Sequence, residues 1–246
     1  MAATPPAYVI QGREVTMPVV VRDAASGTAT YLVPAAAARR LLPGPEIDVV
    51  EFAPGRALLS LAMIDYRDND LGDYNEFSIA LFVRARRVPR GIPYLGSWIA
   101  FLRGHVATYI KHLPVNQAFT CEAGRTIWGF PKSVEDVAIT VEGGRATARL
   151  AMDGRHVLTF SLPAGGTKKI PEAALETYSY INGVARTTAF RSTATDCGFS
   201  GGGSVALELG EHPIAEELRS LGLPKKPLMA MWMGHMRATF DAPEKL

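Results

Sequence analysis

Residues 137–162 constrain the fold more than any other part of this chain. Three short runs, 137–141, 146–152 and 156–162, are separated only by Gly143-Gly144 and Asp153-Gly154. Two-residue turns of this composition accept positive φ, and their twist matches that of paired strands. The three runs are therefore expected to fold back on one another as an antiparallel meander. The remaining apolar runs have the same character. Residues 8–21, 47–51, 56–66, 77–88, 177–190, 204–209 and 228–240 are rich in β-branched and aromatic residues and bounded by Gly or Pro, so they are expected to be strands.

Helical signals are few and short. Residues 34–42 are expected to be helical, with Pro34 at the first position and Pro43 as the stop. Asn116 is expected to cap a short helix ending at Gly124. Pro213 and Gly222 bracket a third, over 213–221. Leu95, Trp98, Ile99 and Leu102 have helical spacing, and a strand is expected from about His105. No repeat, linker or low-complexity tract divides residues 1–246. The fold class is thus α+β: one β-dominated domain with a few short helices.

Composition excludes several functions. Net charge is +2, which gives no case for nucleic acid. The run Arg84, Arg86, Arg87, Arg90 is interleaved with Ala85 and Val88 and reads as the polar end of a strand. Cys121 and Cys197 make no disulfide framework and suit a reducing compartment. Residues 1–6 have no charged-then-apolar pattern, and no run of about 18 apolar residues occurs. A cytoplasmic protein without membrane contact is expected. His105, His112, His156, His212 and His235 are scattered and no G-x-G-x-x-G follows a strand, so neither metal nor other cofactor is implied.

Three segments could carry chemistry. Residues 125–132 read Arg-Thr-Ile-Trp-Gly-Phe-Pro-Lys. Lys132 follows a Gly-Phe-Pro turn and the apolar pair Ile127-Trp128. A lysine amine has an ordinary pKa of about 10.4. Desolvation lowers it, and a neutral amine can add to a carbonyl. The alternative is a stem packed on Trp128 with its head in water. Asp68 and Asp70 match the first two acids of a calcium loop, but Gly72 falls where the third belongs, so a solvated loop is expected. Gly198-Phe199-Ser200-Gly201-Gly202 matches G-x-S-x-G, whose serine needs a following helix. A strand is expected there, which disfavours a serine hydrolase using Ser200 and His235. Met229, Met231 and Met233 share a strand face with His235. Core packing is expected for them, with a flexible pocket wall as the alternative.

Residues Gly124-Arg125 through Phe130-Pro131-Lys132 resemble the active-site segment of the acetoacetate decarboxylase family, where Gly-Arg-Glu leads to aromatic-Pro-Lys-Lys. Gly12-Arg13-Glu14, Leu41-Leu42-Pro43-Gly44-Pro45 and Leu71-Gly72-Asp73-Tyr74-Asn75-Glu76 are similar to further family segments, in the same order. The resemblance implies curved antiparallel sheets forming a β-barrel or cone. It implies a Schiff-base lyase in which Lys132 attacks a keto acid and Glu76 faces that lysine. Arg13 would dock the substrate carboxylate, and Tyr74, Trp128 and Phe130 would line the substrate site. It also implies a homo-oligomer with a complete pocket in each subunit. Three departures stand out. Ser133 replaces the second lysine, Leu61 falls where a second glutamate belongs, and Thr126 replaces the glutamate of Gly-Arg-Glu. Without a second cation, any depression of the Lys132 pKa must come from desolvation. Decarboxylation and aldol or dehydration chemistry share the imine and stay open. A non-catalytic protein that binds a small molecule in the same pocket is the other reading.

Overall fold

The computed structural model describes residues 6–88 and 92–246. Its strands are β1 (Ala7–Ile10), β2 (Arg13–Thr16), β3 (Val19–Pro34), β4 (Ile47–Val49), β5 (Glu51–Ala53), β6 (Arg56–Asn69), β7 (Tyr74–Ala85), β8 (Ala107–Val115), β9 (Lys132–Val134), β10 (Asp136–Glu142), β11 (Arg145–Met152), β12 (Arg155–Pro163), β13 (Lys168–Ile181), β14 (Val184–Ser200), β15 (Ala206–Leu209), β16 (Met229–Phe240) and β17 (Glu244–Lys245). The α-helices are α1 (Ala35–Arg39), α2 (Leu95–Leu102), α3 (Ala118–Ala123) and α4 (Pro213–Ser220). No helix among the described residues is long and apolar enough to cross a membrane. Residues 1–5, most of the segment read for a leader, and Arg90 of the basic run lie outside the described residues.

Seven strands close on themselves in the order β7-β6-β3-β16-β14-β13-β8, and β8 returns to pair with β7. All contacts in the ring are antiparallel except β8 with β13. Closure leaves no long unpaired edge in the ring. The meander β10-β11-β12, extended by β15, forms a second sheet with the turns expected from its glycines.

That second sheet covers one outer wall of the barrel. Leu59, Leu61, Met63, Phe77, Ile79, Leu81 and Val83 project outward into a core shared with Ala146, Ala148, Leu150, Phe160 and Leu162. Phe77 meets Phe160 edge-on, with ring centres 5.7 Å apart. Successive side chains of a strand face opposite sides. Ser60, Ala62, Ile64 and Tyr66 on β6 and Tyr74, Glu76, Ser78, Ala80 and Phe82 on β7 therefore line the barrel interior. Both faces of these strands are used, which accounts for their surplus of apolar residues.

Three elements differ from expectation. Residues 22–33 continue β3, although Ala24-Ala25-Ser26-Gly27 has low strand propensity. The reason is packing: a Cβ at Gly27 would come within 3.1 Å of Leu162 from the second sheet. The expected strand 177–190 is instead a hairpin of β13 and β14. It turns at Asn182-Gly183, where φ is positive at both residues, 50° and 76°, as a two-residue hairpin turn of this type requires. Pro34 is the residue before α1, in extended conformation, not its first helical residue.

Candidate active site

One edge of β8 pairs with β7 along most of its length. Its other edge is divided: Thr108 and Tyr109 pair with β13, and Leu113 to Val115 pair with β9. The short strand β9 thus fills the seam where β13 leaves, and it begins at Lys132. The preceding segment sets this placement. Gln117, not Asn116, caps α3 by accepting from the Thr120 amide at 2.9 Å. Asn116 instead accepts from the Asn75 amide. The helix runs on as one π-turn over Gly124–Trp128 and stops at Gly129 in the left-handed region. A Cβ at Gly129 would lie 2.6 Å from the Tyr180 carbonyl oxygen, so only glycine fits.

Lys132 is 7% exposed. Its Nζ lies 2.8 Å from Glu76 Oε2 and donates to Thr120 Oγ1 at 3.0 Å. It also sits 4.8 Å from the centre of the Tyr74 ring. Tyr74 stacks on Tyr66 at 4.4 Å, and the Tyr66 hydroxyl donates to Glu76 Oε1 at 3.3 Å. Gly124 makes room for the lysine stem, since a Cβ there would lie 2.5 Å from Lys132 Cδ. Trp128 and Phe130 stack with ring centres 5.8 Å apart. The Trp128 indole donates to the Asp241 carbonyl, and Ser179 donates to the Trp128 carbonyl. Tyr66, Tyr74, Glu76, Trp128, Phe130 and Lys132 line a cavity of about 380 Å³ inside the barrel.

The profile of the family described as acetoacetate decarboxylase (ADC) matches residues 4–244. The chain belongs to the acetoacetate decarboxylase family. No curated protein matches it. Solved structures share the fold. Acetoacetate decarboxylase from Legionella pneumophila subsp. pneumophila str. Philadelphia 1 gives a TM-score of 0.65 at 17% identity, covering 100% of this chain and 90% of that one. The enduracididine biosynthesis enzyme MppR, complexed with the condensation product of pyruvate and imidazole 4-carboxaldehyde, gives 0.55 at 20%, covering 98% and 95%. An acetoacetate decarboxylase-like enzyme from Sphingomonas wittichii RW1 gives 0.56 at 13%, covering 96% of each.

Within this acetoacetate decarboxylase fold, Lys132, Glu76, Tyr74, Trp128 and Phe130 come together. Arg13 does not join them. It is exposed on β2, donates to the Asp70 carbonyl and lies over the Phe119 ring. Among the described residues no arginine lines the cavity, and the charged residues that do are Lys132, Glu76 and Glu176. Lys132 also departs from expectation. Burial disfavours its ammonium most strongly, but Glu76 and Tyr74 together outweigh burial and hold its pKa above the ordinary lysine value. At rest the site is an ion pair. Burial likewise raises the Tyr66 and Tyr74 hydroxyls, which stay protonated.

Leu61 is fully buried in the outer core and does not face Lys132. The cavity positions of β6 carry no acid, and Tyr66 is the β6 side chain that meets Glu76. Tyr66 and Thr120 escaped the sequence reading. Strand parity could have found Tyr66 once Ser60, Ala62 and Ile64 were known to face inward. Met229, Met231, Met233 and Met236 all line the cavity, and Met236, with Met233 packed beside it, also belongs to the core around Trp128 and Phe130. An irregularity in register between Met233 and Met236 accompanies an outward His235, whose Nδ1 lies 2.8 Å from Asp23 Oδ1. Ser200 lies opposite Ala230 while His235 lies opposite Thr195, and a 3-10 turn, not an α-helix, follows Ser200. That geometry removes the hydrolase reading. Asp68 and Asp70 are engaged by Arg22.

Proposed function

We propose that the protein is an imine-forming lyase acting on a keto acid through Lys132. The buried Lys132–Glu76 pair at the end of the barrel cavity carries this reading. Glu76 is within hydrogen-bond distance of the amine and can take a proton from it, leaving the amine free to add to the substrate carbonyl. The carbonyl oxygen is protonated and leaves as water. The resulting protonated imine draws electrons from the adjacent C–C bond. Carbon dioxide, or an aldehyde in the retro-aldol direction, departs, and the enamine carbon then takes a proton. Water restores the free lysine and releases the product.

Among the described residues no arginine lines the cavity, and this shapes the chemistry. No described guanidinium meets a substrate carboxylate there, and the nearest described cation is the imine nitrogen itself. That arrangement favours loss of the charge as carbon dioxide. The complex of MppR with a condensation product of pyruvate supports the aldol direction as the neighbouring possibility on the same imine. Borohydride reduction in the presence of 2- and 3-keto acids tests the proposal. One substrate mass should be added, at Lys132. No adduct with the whole panel, or an adduct only at Lys168 or Lys225, would refute it.

A further inference from the structure

The cavity is deeper than a small keto acid requires, and its walls are unlike one another. Strand register stacks three layers along it. Ser26, Ile64 and Glu76 form the layer beside Lys132; Thr28, Ala62 and Ser78 form the next; Thr30, Ser60 and Ala80 form the third. Phe82 lies beyond them. From Glu76 to Phe82 is six residues, or about 20 Å along the strand. At the lysine end Lys132, Glu76, Tyr66 and Tyr74 are all buried. The far end opens to solvent, where Met229 is 38% exposed.

Five hydroxyls project into this space, from Ser26, Thr28, Thr30, Ser60 and Ser78. None of these side chains makes a hydrogen bond to another described residue. On the neighbouring strand β16, Met233, Met231 and Met229 pair in register with Ser26, Thr28 and Thr30. One wall therefore offers hydrogen bonds at each layer, and the adjoining wall offers flexible hydrocarbon and sulfur. A plain alkyl tail would strip water from the hydroxyls and return nothing. A pyruvate-sized molecule would leave most of the channel unused.

We propose that the substrate is a carbonyl compound with a linear tail bearing oxygen along its length, its carbonyl at Lys132 and its tail running between the hydroxyl wall and the methionine wall. The proposal rests on the imine reading for the position of the carbonyl. Stable ketones test it: acetone, 2-undecanone and 2-undecanones hydroxylated singly at carbons 5 to 9. The measurement is the concentration that half-saturates borohydride trapping on the native protein, read by intact mass. 2-Undecanone should saturate below acetone. At least one hydroxylated isomer should saturate about fivefold lower still, the worth of one net hydrogen bond. Thr28→Val combined with Ser78→Ala, both near-isosteric, should bring that isomer back toward 2-undecanone. The proposal is overturned if acetone saturates as low as 2-undecanone, or if every hydroxylated isomer saturates no lower than the plain chain. If no ketone is trapped, the imine reading falls, and calorimetric binding of the same ketones decides the tail separately. The same order of affinity supports the oxygen-bearing chain, and its absence overturns it.

Discussion

Replacing Glu76 by glutamine should separate the two opposing influences on Lys132. The pair is 2.8 Å apart and both side chains are buried. At an effective dielectric of about 20, unit charges at that distance attract by about 6 kcal/mol. Losing the attraction removes the main stabilisation of the ammonium and so lowers the Lys132 pKa. Burial, the largest single influence on Lys132, then acts without its main opponent. The sign is definite: Glu76→Gln lowers the Lys132 pKa. The fold should also lose stability by roughly 3 kcal/mol, the low end for breaking a buried pair, because the lysine can escape by shedding its proton. The assay is the pH dependence of a single-turnover adduct between Lys132 and a ketone, with urea unfolding in parallel. Adduct formation should begin at lower pH in the variant. Turnover at neutral pH should still fall by about a hundredfold or more, because the proton acceptor is gone. If the onset of adduct formation stays where it is or moves to higher pH, the electrostatic account of this site is wrong.

Further outcomes follow from neighbouring residues. Gly124→Ala places a methyl 2.5 Å from Lys132 Cδ and should displace the lysine, cutting borohydride trapping at least tenfold while leaving far-ultraviolet circular dichroism unchanged. Ser133 is the next residue along strand β9, so its side chain faces away from that of Lys132. Ser133→Lys should therefore leave the pH midpoint of Lys132 trapping where it is, and a fall of a unit or more would contradict this placement. The native ion pair raises the Lys132 pKa, so its contribution to stability is full below about pH 10.5 and is lost as pH rises through the higher folded value. Urea midpoints measured across that interval should fall more steeply for the native protein than for Glu76→Gln. We expect a homo-oligomer, with contacts supplied by the exposed apolar face of Leu95, Ile99 and Leu102. Light scattering at micromolar concentration that gives 26.5 kDa would refute it.

The β-rich architecture and the meander were legible because Gly143-Gly144 and Asp153-Gly154 fix local geometry whatever surrounds them, whereas the Asn182-Gly183 turn was not, lying inside a longer β-rich run. Lys132 and Glu76 were legible from the segments that carry them. Arg13 was not, because its partners, Asp70 and Phe119, lie far along the chain and only closure of the barrel brings them close. That Leu61 faces the outer core was not legible either, because the face of a strand residue depends on phase and a shift of one position turns its side chain to the opposite side. The raised pKa of Lys132 could not be read from its apolar neighbours in sequence. It depends on the depth at which Glu76 enters from another strand. The entry of Met236 into the methionine wall, with His235 turned outward, depended likewise on an irregularity in β16 that the period-two pattern does not announce.

The alternation on β6 and β7 has a practical consequence for engineering. Odd-numbered residues from Leu59 to Met63 and from Phe77 to Val83 form the outer core, and the even-numbered residues between them line the cavity. Two libraries can therefore be drawn from the same stretch of gene. Randomising Ser60, Ala62, Ser78 and Ala80 would alter selectivity on a scaffold whose folding determinants are untouched. Altering their odd-numbered neighbours would tune heat resistance without redrawing the pocket.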